Sequence, residues 1–135
     1  MKNTILAFIL ICSWSCVAQV ENLKSYSVTQ KECLNKSGYT LVLKQVTTDS
    51  RCPQGLNCIW MGEAQALVAV YSDKKLVEEV LITFAPKNTI ENNAFFAKYG
   101  KEKYKKVQNV SLVPYPKKDV KIKPKEYTIK IEYRK

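Results

Sequence analysis

A chain of 135 residues with 22 Lys or Arg, 12 Asp or Glu and no histidine carries a formal charge of +10. Its length leaves room for one core of ordinary size beside a leader, and not for two. The missing histidine removes the usual general base near neutral pH and the commonest zinc or copper ligand, so Ser/His and Cys/His nucleophile systems are excluded within this chain.

In chain order, the first segment reads as a leader. Lys2 is followed by an apolar run from Ile5 to Ile11 and by smaller residues ending in Cys16-Val17-Ala18, the order of a secretory signal peptide spanning residues 1–18. The run is well short of the roughly 20 residues that span a bilayer, so no transmembrane anchor is expected. The alternative is lipidation at Cys16, which follows Ser15; Trp14 fits that pattern poorly. Residues 19–135 are then a single exported domain, periplasmic or secreted, or lipid-anchored to the envelope.

After a short polar lead from Gln19, strand signals follow one another with little helix periodicity. Tyr39 to Val46 and Ala64 to Tyr71 read as strands covered on at least one face. Lys75 to Phe84 follows a Ser72-Asp73-Lys74 turn as a hairpin partner, with Val80, Ile82 and Phe84 on one side. Asn88 to Asn109 is the least regular part, with a single helical turn over Ala94 to Tyr99 ended by Gly100. Val107 to Val113 is a strand stopped by Pro114-Tyr115-Pro116, since proline supplies no ladder N–H. In the last segment Tyr127, Ile129, Ile131 and Tyr133 alternate with Thr128, Lys130, Glu132 and Arg134. Six or seven such strands without crossover helices predict an all-β antiparallel sandwich, with an open barrel as the alternative.

Between the second and third of these segments lies a stretch that generic folding does not explain, Asp49 to Gly62. Cys52 and Cys58 enclose Pro53-Gln54-Gly55-Leu56-Asn57, whose Pro and Gly favour a tight reversal. In an exported chain the pair predicts a local disulfide; the spacing is too wide for a CxxC redox site, and no second pair completes a zinc site. Cys33 is a buried free thiol, or pairs with Cys52, with Cys58 or with another molecule. Trp60 stands two residues beyond Cys58, so a strand opening at Cys58 would pack it on the disulfide in the core; the other reading is an exposed binding platform. Gly62 would relieve crowding beside that Trp or permit a bulge. Asp49 and Arg51 pair with each other or cap loop N–H groups, and the other reading is that they bind a ligand. Asp49, Asn57 and Glu63 offer oxygens, but their spacing matches no calcium loop.

Asp49-Ser50-Arg51-Cys52-Pro53, followed by Cys58, Trp60 and Gly62, resembles a motif of small exported or lipid-anchored bacterial β domains. Val113-Pro114-Tyr115-Pro116 before a terminal Tyr-led strand is similar to their ending. The resemblance implies a compact β domain and brings no activity with it. Cys33 lies outside the motif.

Catalytic alternatives are thin. Glu78 and Glu79 are adjacent on a strand and point to opposite faces, and no phosphate-cradling glycine loop is present. No cofactor or metal is expected. Residues 101–135 hold twelve Lys or Arg against four Asp or Glu, so the basic character belongs to the C-terminal quarter. Lys101, Lys103, Lys105, Lys106, Lys117 and Lys118 form the candidate basic surface, suited to an anionic envelope polymer, lipid headgroups or an acidic protein. Tyr104 among lysines faintly suggests nucleic acid, which export disfavours. The expectation is a non-enzymatic envelope domain that binds a partner or polymer. Its rivals are an inhibitor, of a protease for instance, presenting the stapled loop, and a structural domain whose sheet edges pair with neighbours.

Overall fold

The structure, a computed structural model, describes residues 22–31, 38–101 and 106–134. The leader with Cys16, and Cys33, Lys103 and Lys105, lie outside the described residues. Strands dominate, in two three-stranded antiparallel sheets that stack as a sandwich and do not close into a barrel. The first strand, β1 (Lys24–Val28), falls where only a polar lead was expected. Its two inward residues, Tyr26 and Val28, are too few to announce a period, and it forms because β6 offers Ile131 and Ile129 opposite them.

Strand β2 (Tyr39–Asp49) runs three residues past the predicted Val46. It pairs with the central strand β3 (Ala64–Ser72), which pairs in turn with β4 (Lys75–Phe84). The β3–β4 connection is the expected tight turn, with Asp73 and Lys74 both at positive φ as a type I′ hairpin requires. Two register shifts interrupt the β2–β3 ladder. The second sets the site. Val46 and Asp49 are three residues apart and would face opposite ways in a regular strand, yet they pair with Ala66 and Ala64, which share the inner face. Asp49 is thereby turned inward.

The stretch after β4 corrects the sequence reading. A turn at Pro86–Asn88 leads into an eleven-residue helix, α1 (Thr89–Tyr99), where one turn was predicted. Its buried stripe is Asn92, Phe96 and Tyr99, and a hydrophobicity count does not score the asparagine. Asn92 is accommodated because its Nδ2 donates to Thr83 O at 2.9 Å, and Asn93 Nδ2 donates to Gln108 O at 2.9 Å. Burial of Phe96, fully enclosed, contributes roughly 2–3 kcal/mol. Gly100 ends the helix, its N–H bonded to Phe96 O.

Strands β5 (Val107–Val113) and β6 (Thr128–Tyr133) complete the second sheet, in order β1-β6-β5. The expected alternation holds in β6, where Ile129, Ile131 and Tyr133 are buried. Along one side of the sandwich the sheets meet at the bond from Leu43 N–H to Thr29 O; along the other, α1 packs on both β4 and β5 and fills the gap. The shared core joins Leu43, Val68 and Ile82 of one sheet to Leu112, Ile129 and Ile131 of the other, with Phe96 between. Asp49, Ala64 and Phe84 align at one end of their sheet, as do Val113 and Thr128 in theirs.

Candidate functional site

The conformation of Ser50 to Glu63 follows from what anchors it. Arg51 is buried and forms a fork on the inward-turned Asp49, with Nε 2.8 Å from Oδ1 and Nη2 2.7 Å from Oδ2. Its Nη1 donates to Leu112 O at 2.6 Å and Nη2 to Pro114 O at 3.1 Å, so one side chain ties the end of β2 to the end of β5 in the opposite sheet. The guanidinium also lies over the Tyr115 ring, 4.9 Å from its centroid. Tyr127 donates its hydroxyl to Asp49 Oδ2 at 3.0 Å. Asp49 and Arg51 thus pair with each other and hold the loop in place, and Arg51 also lines an apolar cleft beside the loop.

Burial pushes the Asp49 carboxyl up, but the hydrogen bonds and charge of Arg51, with the Tyr127 hydroxyl, outweigh it and hold that carboxyl below its ordinary value. Burial, together with donation to the Asp49 carboxylate, pushes the Tyr127 phenol up to about 12.

Cys52 and Cys58 are joined as predicted, with Cα atoms 5.9 Å apart. Inside the ring, Leu56 N–H reaches Pro53 O at 3.2 Å around Gln54 and Gly55, and Gly55 has the positive φ that the third position of a type II turn needs. Gln54 is laced to the β5–β6 connection, donating to Pro116 O at 2.9 Å and accepting from Lys118 N–H at 3.1 Å. On the return, Cys52 N–H donates to Met61 O and Ser50 N–H to Glu63 O. Gly62 has a role other than the one expected. With φ at +69°, it lets the Ser50 backbone approach so closely that a Cβ at this position would lie 1.9 Å from Ser50 O.

The burial predicted for Trp60 is not found. No strand opens at Cys58; β3 begins only at Ala64, and Trp60 is 65 % exposed. Ile59 is fully exposed, Met61 is 64 % exposed and Leu56 48 %. Sequence reasoning missed Ile59 and Met61. The available signal was a run of three large apolar residues between Cys58 and Gly62, which alternation cannot bury on a single face. Tyr115 and the Tyr127 hydroxyl were missed as well, because their partners are remote in sequence.

The candidate basic surface is divided. Lys117 and Lys118 are exposed directly beside the stapled loop. Lys106 precedes β5 and Lys101 follows α1, at the other end of the sandwich, about 20 Å away along a seven-residue strand. Next to the loop, an open, mainly apolar cleft of about 340 Å³ is bounded by Met61, Phe84, Pro86, Val110 and Tyr115. Among the described residues no group of three or more His, Cys, Asp or Glu side chains is placed to hold a metal ion, and no helix is long and apolar enough to cross a membrane.

No family model, curated protein or solved structure matches this chain.

Proposed function

We propose that this chain is a non-enzymatic, exported envelope domain that binds a partner through its stapled end. One observation carries the reading: Ile59, Trp60 and Met61 are exposed side by side on a backbone held by a disulfide, a buried Arg–Asp fork and bonds to the β5–β6 connection. Exposed apolar surface is unfavourable in water, and a rigid support for it lowers the ordering cost of binding. Export is supported by the leader-like order of residues 1–18 and by a disulfide, which persists in oxidising compartments. Resemblance of the Asp49 to Gly62 motif to small envelope β domains is part of the same proposal, and Arg51, Cys52, Cys58 and Gly62 each have a mechanical part in building the loop.

The inhibitor alternative fits this geometry less well. It asks Pro53 to Asn57 to offer its backbone to a protease, whereas the N–H and C=O of Gln54 are already engaged by Pro116 and Lys118. The test of the binding reading is oxidative footprinting of Trp60 and Met61 in native envelopes and in purified protein. Protection in the envelope is expected; equal modification in both samples would remove the reading.

A further inference from the structure

We propose that the partner at the stapled end is the surface of an anionic lipid bilayer, into whose headgroup layer Ile59, Trp60 and Met61 insert. The inference rests on the binding reading above and names its occupant. The three side chains are exposed together, Ile59 completely, and a deformable medium can cover all of them. Trp60 carries an apolar body with a polar N–H, the side chain favoured at membrane–water interfaces.

Charge supplies the second, independent observation. The β5–β6 connection, residues 114–127, meets the loop at Gln54 and carries Lys117, Lys118, Lys121, Lys123 and Lys125, all exposed, against the two carboxylates of Asp119 and Glu126. Protein–protein contact surfaces are depleted in lysine, whereas lysines beside an exposed tryptophan are what an anionic lipid surface attracts. Val120, 59 % exposed on the same connection, adds apolar surface.

The N–H groups of Ser50, Cys52, Gln54 and Leu56 are bonded within the protein, and Met61 O accepts from Cys52 N–H, so the backbone that carries Ile59, Trp60 and Met61 is anchored on both sides. The disulfide and the Arg51 fork hold the loop in one shape, and little order is lost on docking.

The full chain has two tryptophans, so Trp14→Phe leaves Trp60 as the sole tryptophan, excited selectively over the tyrosines at the red edge of absorption. The protein is titrated with vesicles of phosphatidylcholine alone and with vesicles of equal parts phosphatidylcholine and phosphatidylglycerol, reading Trp60 emission and its quenching by brominated lipid. A blue shift and quenching are expected on the anionic vesicles only. Added Ile59→Ser and Met61→Ser should abolish both signals, and added Lys117→Glu and Lys118→Glu should weaken binding by roughly thirtyfold or more, at about fivefold for each lysine lost near such a surface. Trp60 emission unchanged on anionic vesicles overturns the proposal, even if the chain sediments with them through residues 1–21. A response to soluble polyphosphate equal to that on vesicles also overturns it, in favour of a polyanion. If Trp60 stays silent on lipid but is protected from oxidation in native envelopes, the binding reading survives and the lipid does not; silence in both removes both.

Discussion

The side chains of Arg51 and Asp49 share two hydrogen bonds, at 2.8 and 2.7 Å, with 7 % and 10 % of those side chains exposed, and the same guanidinium reaches Leu112 O in the other sheet. A buried charge is tolerable only when paired and fully bonded, and here the pairing also ties the two layers together at the end that carries the loop.

Removing one partner should therefore be costly. Arg51→Ala is expected to destabilise the fold by about 3–5 kcal/mol, since it strands the Asp49 carboxylate and frees two carbonyls. Arg51→Lys should recover only part of this, because an ammonium cannot form the fork. Urea unfolding of the three chains measures both; an Arg51→Ala loss below about 1 kcal/mol would contradict the clamp.

The same cluster predicts a pH dependence with two limbs. The Asp49 carboxyl titrates lower in the folded than in the unfolded chain, so its contribution is complete above the ordinary carboxylate value near about 3.9 and is lost as pH falls through the folded value. Tyr127 titrates higher when folded, at about 12, so its contribution is complete below the unfolded value near about 10 and is lost as pH rises toward 12. Asp49→Asn should flatten the acid limb of stability against pH, and Tyr127→Phe the alkaline limb, each by comparison with the parent chain.

Two glycines at positive φ separate conformational strain from steric overlap. Gly38 has φ +76° and open space where a Cβ would lie, so Gly38→Ala should destabilise by about 1 kcal/mol. Gly62→Ala brings the same backbone penalty together with a collision against Ser50 O, and should cost about 3 kcal/mol or more. Similar thermal shifts for the two variants would refute the close approach.

Opening the staple should act locally as well as globally. Cys52→Ser with Cys58→Ser is expected to lower stability by about 2 kcal/mol on the chain-entropy model. Hydrogen exchange at Gln54 and Leu56, whose N–H groups are bonded to Pro116 O and Pro53 O, should accelerate more than exchange in β3. Uniform acceleration across the sheet would mean that the ring adds nothing to the loop's own rigidity.

The sequence by itself determined what depends on neighbours along the chain. The alternation in β4 and β6 follows from the period of two, the Asp73-Lys74 reversal lies between two such runs, and the staple closes over five residues with a Pro and a Gly among them. The helix α1 stayed hidden because its buried stripe opens with Asn92, whose partner Thr83 O is supplied by β4. Tertiary structure alone decided the rest: the register shift after Val46 that turns Asp49 inward, the Tyr127 hydroxyl brought to Asp49 from 78 residues away, and the placing of Lys117 and Lys106 at opposite ends of β5. It also decided that Trp60 faces solvent. Ile59 and Met61, one on each side of Trp60, gave no sign of which face would be covered, because covering depends on the β5–β6 connection and on where β3 begins, and neither is encoded in the spacing from Cys58 to Trp60.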